Sequence, residues 1–375
     1  MNILSLFSNV GVAEAYLEED GFNVVVANEL DPKRANLYQQ IYPKTKMICG
    51  DIKDDDVYKA IINSSINSKV DIVMATPPCQ GMSTAGKLLQ YDERNNLFNY
   101  ALNIIEEIQP KYFIFENVPA FMSTYVIYNE QPTLIPDVII DRMSKMYDMS
   151  FQIINAQNYG VPQMRERLIL LASNKSVKKK WSMPKPSDKI VTMEDAIGWI
   201  PIIDPFVKDI SEEEFKKMFP LYEDRKKAAL KISKWNIPPK HVYRNVIAMQ
   251  HTPTGKSAFD NNFYKPKKRD GSIVRGFKNT YKRQNWNTPA YTIAMDNIEI
   301  SSQNNVHPGR YIGKDENGDE IYSDARALTL YELMKLMSIP DNWPIPSNTN
   351  PAYLRKMIGE GIPSLLVRKI FNQIK

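Results

Sequence analysis

Cys79 stands in Thr76-Pro77-Pro78-Cys79-Gln80-Gly81, directly after the apolar run Asp71-Ile72-Val73-Met74-Ala75. The run reads as a buried strand, and the prolyl pair ends it, because proline fixes φ and offers no ladder donor. Gly81 allows the turn that carries the sulfur away from the sheet, so a thiol is presented at a strand tip. Such a thiol is a nucleophile once cationic neighbours or a helix N-terminus lower its pKa. A lone cysteine is ordinarily a small buried hydrophobe; the Pro-Pro-Cys-Gln-Gly context reverses that expectation. Only one other cysteine, Cys49, is present, which rules out a disulfide framework and points to a reducing compartment. The three histidines, His241, His251 and His307, lie outside the half of the chain that carries Cys79, which disfavours a Cys-His hydrolase. Two cysteines and three dispersed histidines show no ligand spacing, and no metal site is expected.

The elements that must position this thiol alternate. Residues 2–7 read as a strand, 13–20 as a helix closed by Gly21, and 23–28 as a second strand. Pro32 opens a helix reaching about Tyr42, Lys46–Cys49 is a third strand, and 71–75 is the fourth, which leads to Cys79. Residues 96–109 have helical periodicity through Leu97, Ala101, Ile104, Ile105 and Ile108, and 111–115 is a fifth strand. A helix near 136–147 precedes two further strands at 151–155 and 167–171. Strands alternating with helices indicate a doubly wound α/β sheet, with functional groups at the carboxyl ends of the strands.

After about Asn174 that rhythm stops. From Lys175 to about Ser323 the chain is rich in Lys, Pro, Asn and aromatics, so a second, smaller domain is expected there. Helical patterns return at 328–337, 354–358 and 363–374. Between Leu171 and Ala290, 25 Lys and Arg stand against 12 Asp and Glu. That excess of thirteen, within a net charge of +5, leaves the rest of the chain at −8. A basic segment on a mildly acidic body is the footprint of a nucleic-acid binder, because Lys and Arg gain affinity by releasing counterions from phosphates. The opening residues lack a basic leader, and no apolar stretch has membrane-spanning length. A soluble cytoplasmic protein is expected.

Separate segments resemble, in order, the motifs of the cytosine-C5 DNA methyltransferases. Ser5-Leu6-Phe7-Ser8-Asn9-Val10-Gly11 is similar to the family's first S-adenosyl-L-methionine (SAM) loop, and Asn28-Glu29-Leu30 and Gly50-Asp51-Ile52 to its second and third cofactor segments. Pro77-Pro78-Cys79-Gln80 resembles the nucleophile segment, and Phe115-Glu116-Asn117-Val118 the catalytic glutamate segment. The run from Gln157 to Arg167 is similar to the paired-arginine segment. Arg326-Ala327-Leu328-Thr329-Leu330-Tyr331-Glu332 and Gly359-Glu360-Gly361-Ile362-Pro363 resemble the last two motifs, so the likeness reaches both ends of the chain.

The resemblance implies a SAM-dependent methyltransferase (Rossmann-like) sheet over residues 1–174, a DNA-recognition domain over 175–323, and a segment 324–375 that returns to the catalytic domain. It implies Cys79, Glu116, Arg165 and Arg167 as catalytic residues. Cytosine C5 is a poor nucleophile, and a thiolate adding to C6 enriches the ring. Negative charge then develops at N3, where Glu116, held protonated by an apolar setting, would donate. Arg165 and Arg167 would supply positive field and hold the base O2 and a nearby phosphate; as plain residues they read as surface partners of Glu166. Phe7, Asn9, Gly11, Glu29, Leu30, Asp51, Ile52, Pro78, Leu97, Glu360 and Ile362 are the implied cofactor residues, Glu29 for the ribose hydroxyls and Asp51 for the adenine amino group. Gln80 and Ser83 would lie near the extruded base, and Lys267, Lys268, Arg269, Arg275, Lys282 and Arg283 on the DNA. Two departures stand out: the first loop is poor in glycine, and Glu360 replaces a family asparagine.

The implied function is a DNA (cytosine-5-)-methyltransferase of the bacterial restriction–modification or phage type. It would act as a monomer on double-stranded DNA, with a separate cognate restriction endonuclease as its counterpart. The competing readings are a tRNA cytosine-5 methyltransferase and an inactive DNA-binding homologue.

Overall fold

A computed structural model describes residues 1–78 and 93–375. Seven strands form one sheet: β1 Asn2–Leu6, β2 Asn23–Glu29, β3 Lys46–Cys49, β4 Ile72–Ala75, β5 Tyr112–Asn117, β6 Tyr147–Asn155 and β7 Glu166–Asn174. Their order is β3-β2-β1-β4-β5-β7-β6. The first five are parallel, and β7 runs antiparallel to both neighbours. The order reverses between β1 and β4. The loops leaving these two strands therefore diverge and leave a crevice at their carboxyl ends.

Both faces of the sheet are covered, which is why its strands are apolar at nearly every position. Leu4, Leu6, Val73, Phe113, Phe115 and Leu170 point to one face, where Ile61 and Ile62, Phe98 to Ile105, and Val138 and Ile139 pack against them. These come from helices α2 Asp55–Asn67, α3 Leu97–Ile108 and α4 Ile135–Met143. The alternate residues Ile3, Ile72, Met74, Ile114 and Ile169 face Leu366, Val367, Ile370 and Phe371 of the C-terminal helix Ser364–Phe371. Each such side chain, fully buried, stabilises the fold by roughly 1.5–3 kcal/mol.

Helix α1, Pro32–Ile41, follows β2. Asp31 caps it by accepting from the amides of Lys33 and Arg34 at 2.8 and 3.0 Å, and Pro32 supplies a preset φ. Residues 13–20 form turns rather than the expected helix, with bonds from Leu17 N to Glu14 O and from Gly21 N to Glu18 O. Val10 and Val12 pack in one core and Leu17 and Phe22 in another, so this segment bends between two partners. Gly21 does end it, at φ +81, with Phe22 N bonded back to Leu17 O.

Beyond Asn174 the chain builds a further core from Val207, Phe219, Tyr222, Val246, Met249, Tyr281, Ile300 and Val306. It also touches the first part directly, since Ala290–Tyr291 pairs in parallel with Gln163–Met164. A buried ionic hub joins this region to the helix Leu330–Leu336. Arg326, 0% exposed, meets both oxygens of Glu332 at 2.8 Å, Asp324 at 2.7 Å and the carbonyl of Ile203 at 3.0 Å. Glu332 closes a capping box with Thr329, so one carboxylate serves both the guanidinium and the helix start.

Candidate active site

Glu116 lies opposite Ile169 in the antiparallel pairing of β5 with β7. Residues two apart on a strand share a face, so Arg167 is its diagonal neighbour. Arg167 Nε lies 2.8 Å from Glu116 Oε1, and the two side chains are 14% and 12% exposed. The expected apolar setting for Glu116 is corrected by this contact: a guanidinium sits against the carboxylate. Arg167 also donates to the carbonyl of Glu166 at 2.6 Å, so its ion pair goes to Glu116 rather than to Glu166.

The same strand end holds the approach to the nucleophile segment. Asn117, 3% exposed, donates from Nδ2 to the carbonyl of Pro77 at 3.0 Å and accepts from the amide of Val118 at 2.8 Å. Thr76 Oγ1 donates to the carbonyl of Phe7 at 3.1 Å. The backbone two residues before Cys79 is thus tied to the Glu116 strand and to the loop after β1. Cys79, Gln80 and Ser83 themselves lie outside the described residues.

Arg165 parts company with Arg167. Only 2% exposed, it donates to the carbonyls of Ile293, Gly359 and Gly361 at 3.0, 3.2 and 2.9 Å. The expectation that it holds a phosphate is corrected: its guanidinium pins three chain segments together inside the protein. Arg165→Met should therefore lower stability by about 3–5 kcal/mol, because the carbonyls lose charged donors they cannot replace from solvent. Urea unfolding checks this, and a loss below about 1 kcal/mol contradicts it.

The loops after β1, β2 and β3 line the crevice together. Asn9 at φ +51 and Gly11 at φ +82 take the left-handed turns of the first loop. Asparagine tolerates that region, so the loop keeps its path with fewer glycines. A Cβ on Gly11 would lie 2.1 Å from the Tyr42 ring. Phe7, at φ +59, is the strained member. Glu29 accepts from the amides of Asn9 and Asp31, each at 2.9 Å, and every carboxylate oxygen keeps a lone pair for a further donor. Leu30 is 62% exposed beside it, Asp51 accepts from the amide of Lys53 at 3.0 Å, and Ile52 is buried in the same core against which the half-buried Leu97 packs. Pro78 is half-buried at the end of the described segment. Glu360 and Ile362 reach this place from the far end of the chain, Ile362 within the core and Glu360 paired with Arg34.

Beneath the first loop sits a carboxyl that sequence patterning did not single out. Glu14, 3% exposed, accepts from the Ser5 hydroxyl at 2.6 Å, and burial raises its pKa to about 7 against the partial opposition of that hydrogen bond. Between pH 4.5 and 7 the folded chain then holds a proton that the unfolded chain has lost, so this group subtracts stability as pH rises. Burial pushes His241 and His307 down to about 3 and about 4, which gives the opposite slope below pH 6.5. The comparison with Glu14→Gln isolates the carboxyl. The variant should gain on the wild type by up to about 3 kcal/mol from pH 4.5 to 7 and hold a constant difference above. Unfolding curves at a series of pH values test this, and a constant difference throughout refutes it.

The whole chain, residues 1–375, matches the family described as C-5 cytosine-specific DNA methylase. The chain belongs to that family. This cytosine-C5 methylase is 40% identical over 379 residues to Type II methyltransferase M1.HgaI of Avibacterium volantium, covering 99% of this chain and 98% of that one. It is 27% identical over 384 residues to Type II methyltransferase M.XorII of Xanthomonas oryzae pv. oryzae, covering 99% and 84%. Among solved structures it resembles in fold a prophage-encoded DNA modification methyltransferase from E. coli, with TM-score 0.66, 20% identity, and 100% and 98% of the two chains covered. The catalysed reaction is SAM-dependent methylation of DNA cytosine at C5.

The basic stretch of the methylase divides into exposed and buried members. Lys267, Lys268, Arg269 and Arg275 are exposed, on a tight ribbon where Lys267 bridges Ile273 and Lys268 N bonds to Ser272 O at 2.8 Å. Phe263 and Phe277 flank it, each 78% exposed. Lys282 is half-buried, its ammonium 4.5 Å over the Tyr291 ring and 3.1 Å from that hydroxyl. Arg283 is corrected outright: it is 0% exposed and donates to the carbonyls of Met249, His307 and Asp324. Such a residue shapes the domain and cannot reach a phosphate. Among the described residues, no helix is long and apolar enough to cross a membrane.

Proposed function

We propose that this chain is the modification enzyme of a Type II restriction–modification system, acting in the cytoplasm on one cytosine within a short sequence of double-stranded DNA. Its 40% identity to M1.HgaI over essentially both full lengths carries this reading, and the Glu116–Arg167 pair at the strand end supports it. In the proposed reaction the target base leaves the stack, at a cost of a few kcal/mol offset by contacts to the base and the displaced strand. Cys79 adds its thiolate sulfur to C6, and the electron pair moves toward N3 and C5. The Glu116 carboxyl donates its proton at N3 as charge develops there and takes it back when the thiolate leaves, and Arg167 fixes that carboxyl and adds positive field. Bound SAM supplies an electrophilic methyl group to C5. Solvent water takes the C5 proton, and the electron pair of that C–H bond re-forms the ring double bond as the S–C6 bond breaks, which restores the thiolate and the aromatic ring.

The crevice suits SAM. Leu30 offers exposed apolar surface, Glu29 and Asp51 offer acceptors, and Asn9 Oδ1 lacks a partner among the described residues. Residues 175–323 serve as the recognition domain, with Lys267, Lys268, Arg269 and Arg275 toward phosphates or base edges. Transfer of tritiated methyl from SAM tests the function: duplex DNA should be labelled, and label found in tRNA instead would overturn the DNA reading. Bisulfite sequencing of a plasmid from expressing cells should show one protected cytosine per recognition site.

A further inference from the structure

We propose that Phe263 and Phe277 form an apolar wedge that enters between base steps of the bound duplex and kinks it, a claim that rests on the DNA reading above and adds to it a deformation of the helix. Both side chains are 78% exposed, and Ile273 on the same ribbon is 56% exposed. Single exposed apolar residues are ordinary, whereas three gathered on one ribbon mark an interaction surface. Val274, next to Ile273, does fold back onto the domain core.

The backbone that presents the two rings is held from several sides. Phe263 and Phe277 each stand four residues from the Lys267–Ile273 bridge, one on either arm, and the amide of Val274 continues the pairing by donating to the carbonyl of Pro266 at 2.9 Å. The carbonyl of Phe277 accepts from the amide and hydroxyl of Thr280 at 2.9 and 2.8 Å. Beside Phe263, the Tyr264 ring stacks on His251 with centroids 3.6 Å apart, and its hydroxyl donates to Asp319 at 3.0 Å. Arg244 Nε donates to the carbonyl of Lys267 at 3.0 Å, and a Cβ on Gly276 would lie 3.0 Å from the Phe259 ring, so both arms are pressed against the domain. Rings carried on a backbone already ordered lose little entropy when they insert.

Charge selects the occupant. Between Phe263 and Lys278 six Lys and Arg stand against one acid, Asp270. That carboxylate is spent locally, since Oδ1 accepts from the amide and hydroxyl of Ser272 at 2.9 and 2.6 Å. Duplex DNA offers both things such a surface wants, phosphates for the cations and an apolar slot between stacked bases for the rings. Inserted apolar side chains partly unstack a step and kink the duplex by roughly 20–90°. Pyrimidine–purine steps yield most readily, so the wedge would favour particular sequences at positions where no hydrogen bond reads a base.

Energy transfer between dyes on the two ends of a short duplex, cut to contain the site that bisulfite sequencing reveals, tests the wedge. At saturating protein the wild type should bend this duplex by roughly 20° or more. The variant carrying both Phe263→Ser and Phe277→Ser should bind it and leave it straight, with an unchanged melting temperature because neither ring is buried. Each single serine change should give a smaller angle than the wild type, so the angle reports on the wedge even where the double change weakens binding. Leucine at both positions should restore the bend, since an apolar wedge is all that the kink requires. A straight duplex in the wild-type complex, or a bend that persists in the serine variants, would overturn the proposal; the second result would leave the rings to a protein partner. A wild type that neither binds nor methylates the duplex would instead sink the DNA reading on which it rests.

Discussion

Cys79→Ala abolishes methyl transfer to duplex DNA, with a loss of roughly ten-thousandfold or more, while S-adenosylhomocysteine binding and the melting temperature remain those of the wild type. The size follows from the role. A nucleophile that opens the reaction cannot be replaced by positioning alone, and removing such a group in other enzymes costs about that much. Cytosine C5 becomes nucleophilic only after addition at C6, so no other step compensates. Single-turnover transfer of labelled methyl reads the effect. A residual rate within a hundredfold of wild type would mean that the thiol is not the attacking atom.

Glu116→Gln gives the second large effect, a fall in the single-turnover rate of roughly a hundredfold to a thousandfold with DNA affinity preserved. The amide matches the carboxylate in shape, so the change is in charge and in the Arg167 contact at 2.8 Å. Arg167 is then left partly buried beside a neutral group, without the carboxylate that holds it. Both the hydrogen bond at N3 and the orientation of the guanidinium suffer together, which is why the two residues should not act additively. A double-mutant cycle with Arg167→Met measures this. Rates that multiply independently would argue that the pair is only structural.

Much of the sheet was legible because its strands are apolar on both faces and its helices keep their periodicity. Lys46–Cys49 has its expected bounds, and the other strands shift or lengthen by a few residues. What escaped had no local signal. The hairpin Tyr125–Tyr128 and Gln131–Leu134 turns on Asn129 and Glu130, at φ +49 and +64. No glycine marks that turn, so the usual hairpin signature is missing. Helix α2 is the exception, with a readable start in Asp54-Asp55-Asp56 followed by spaced apolar residues.

The site was legible by motif and illegible by contact. Arg165 and Arg167 look like neighbours on one strand face. In fact β7 begins at Glu166, so Arg165 lies before it and turns inward to carbonyls that are more than a hundred residues away. Arg283 sits in a basic run and is nonetheless buried, because three carbonyls from distant segments converge on it. Arg34 carried no motif at all. Only the fold brings it to Glu360, 326 positions later. Asn117 was visible in the Glu-Asn-Val motif, but its grip on Pro77 is a tertiary fact.

The attack on C6 can be caught directly. A duplex carrying 5-fluorocytosine at the target position presents a base from which the C5 substituent cannot leave after methyl transfer, so the sulfur stays bound. With SAM present, mass spectrometry of the digested complex should find the oligonucleotide joined to the peptide containing Cys79. Turnover of the unmodified duplex with no such adduct, or an adduct on another residue, would contradict the account.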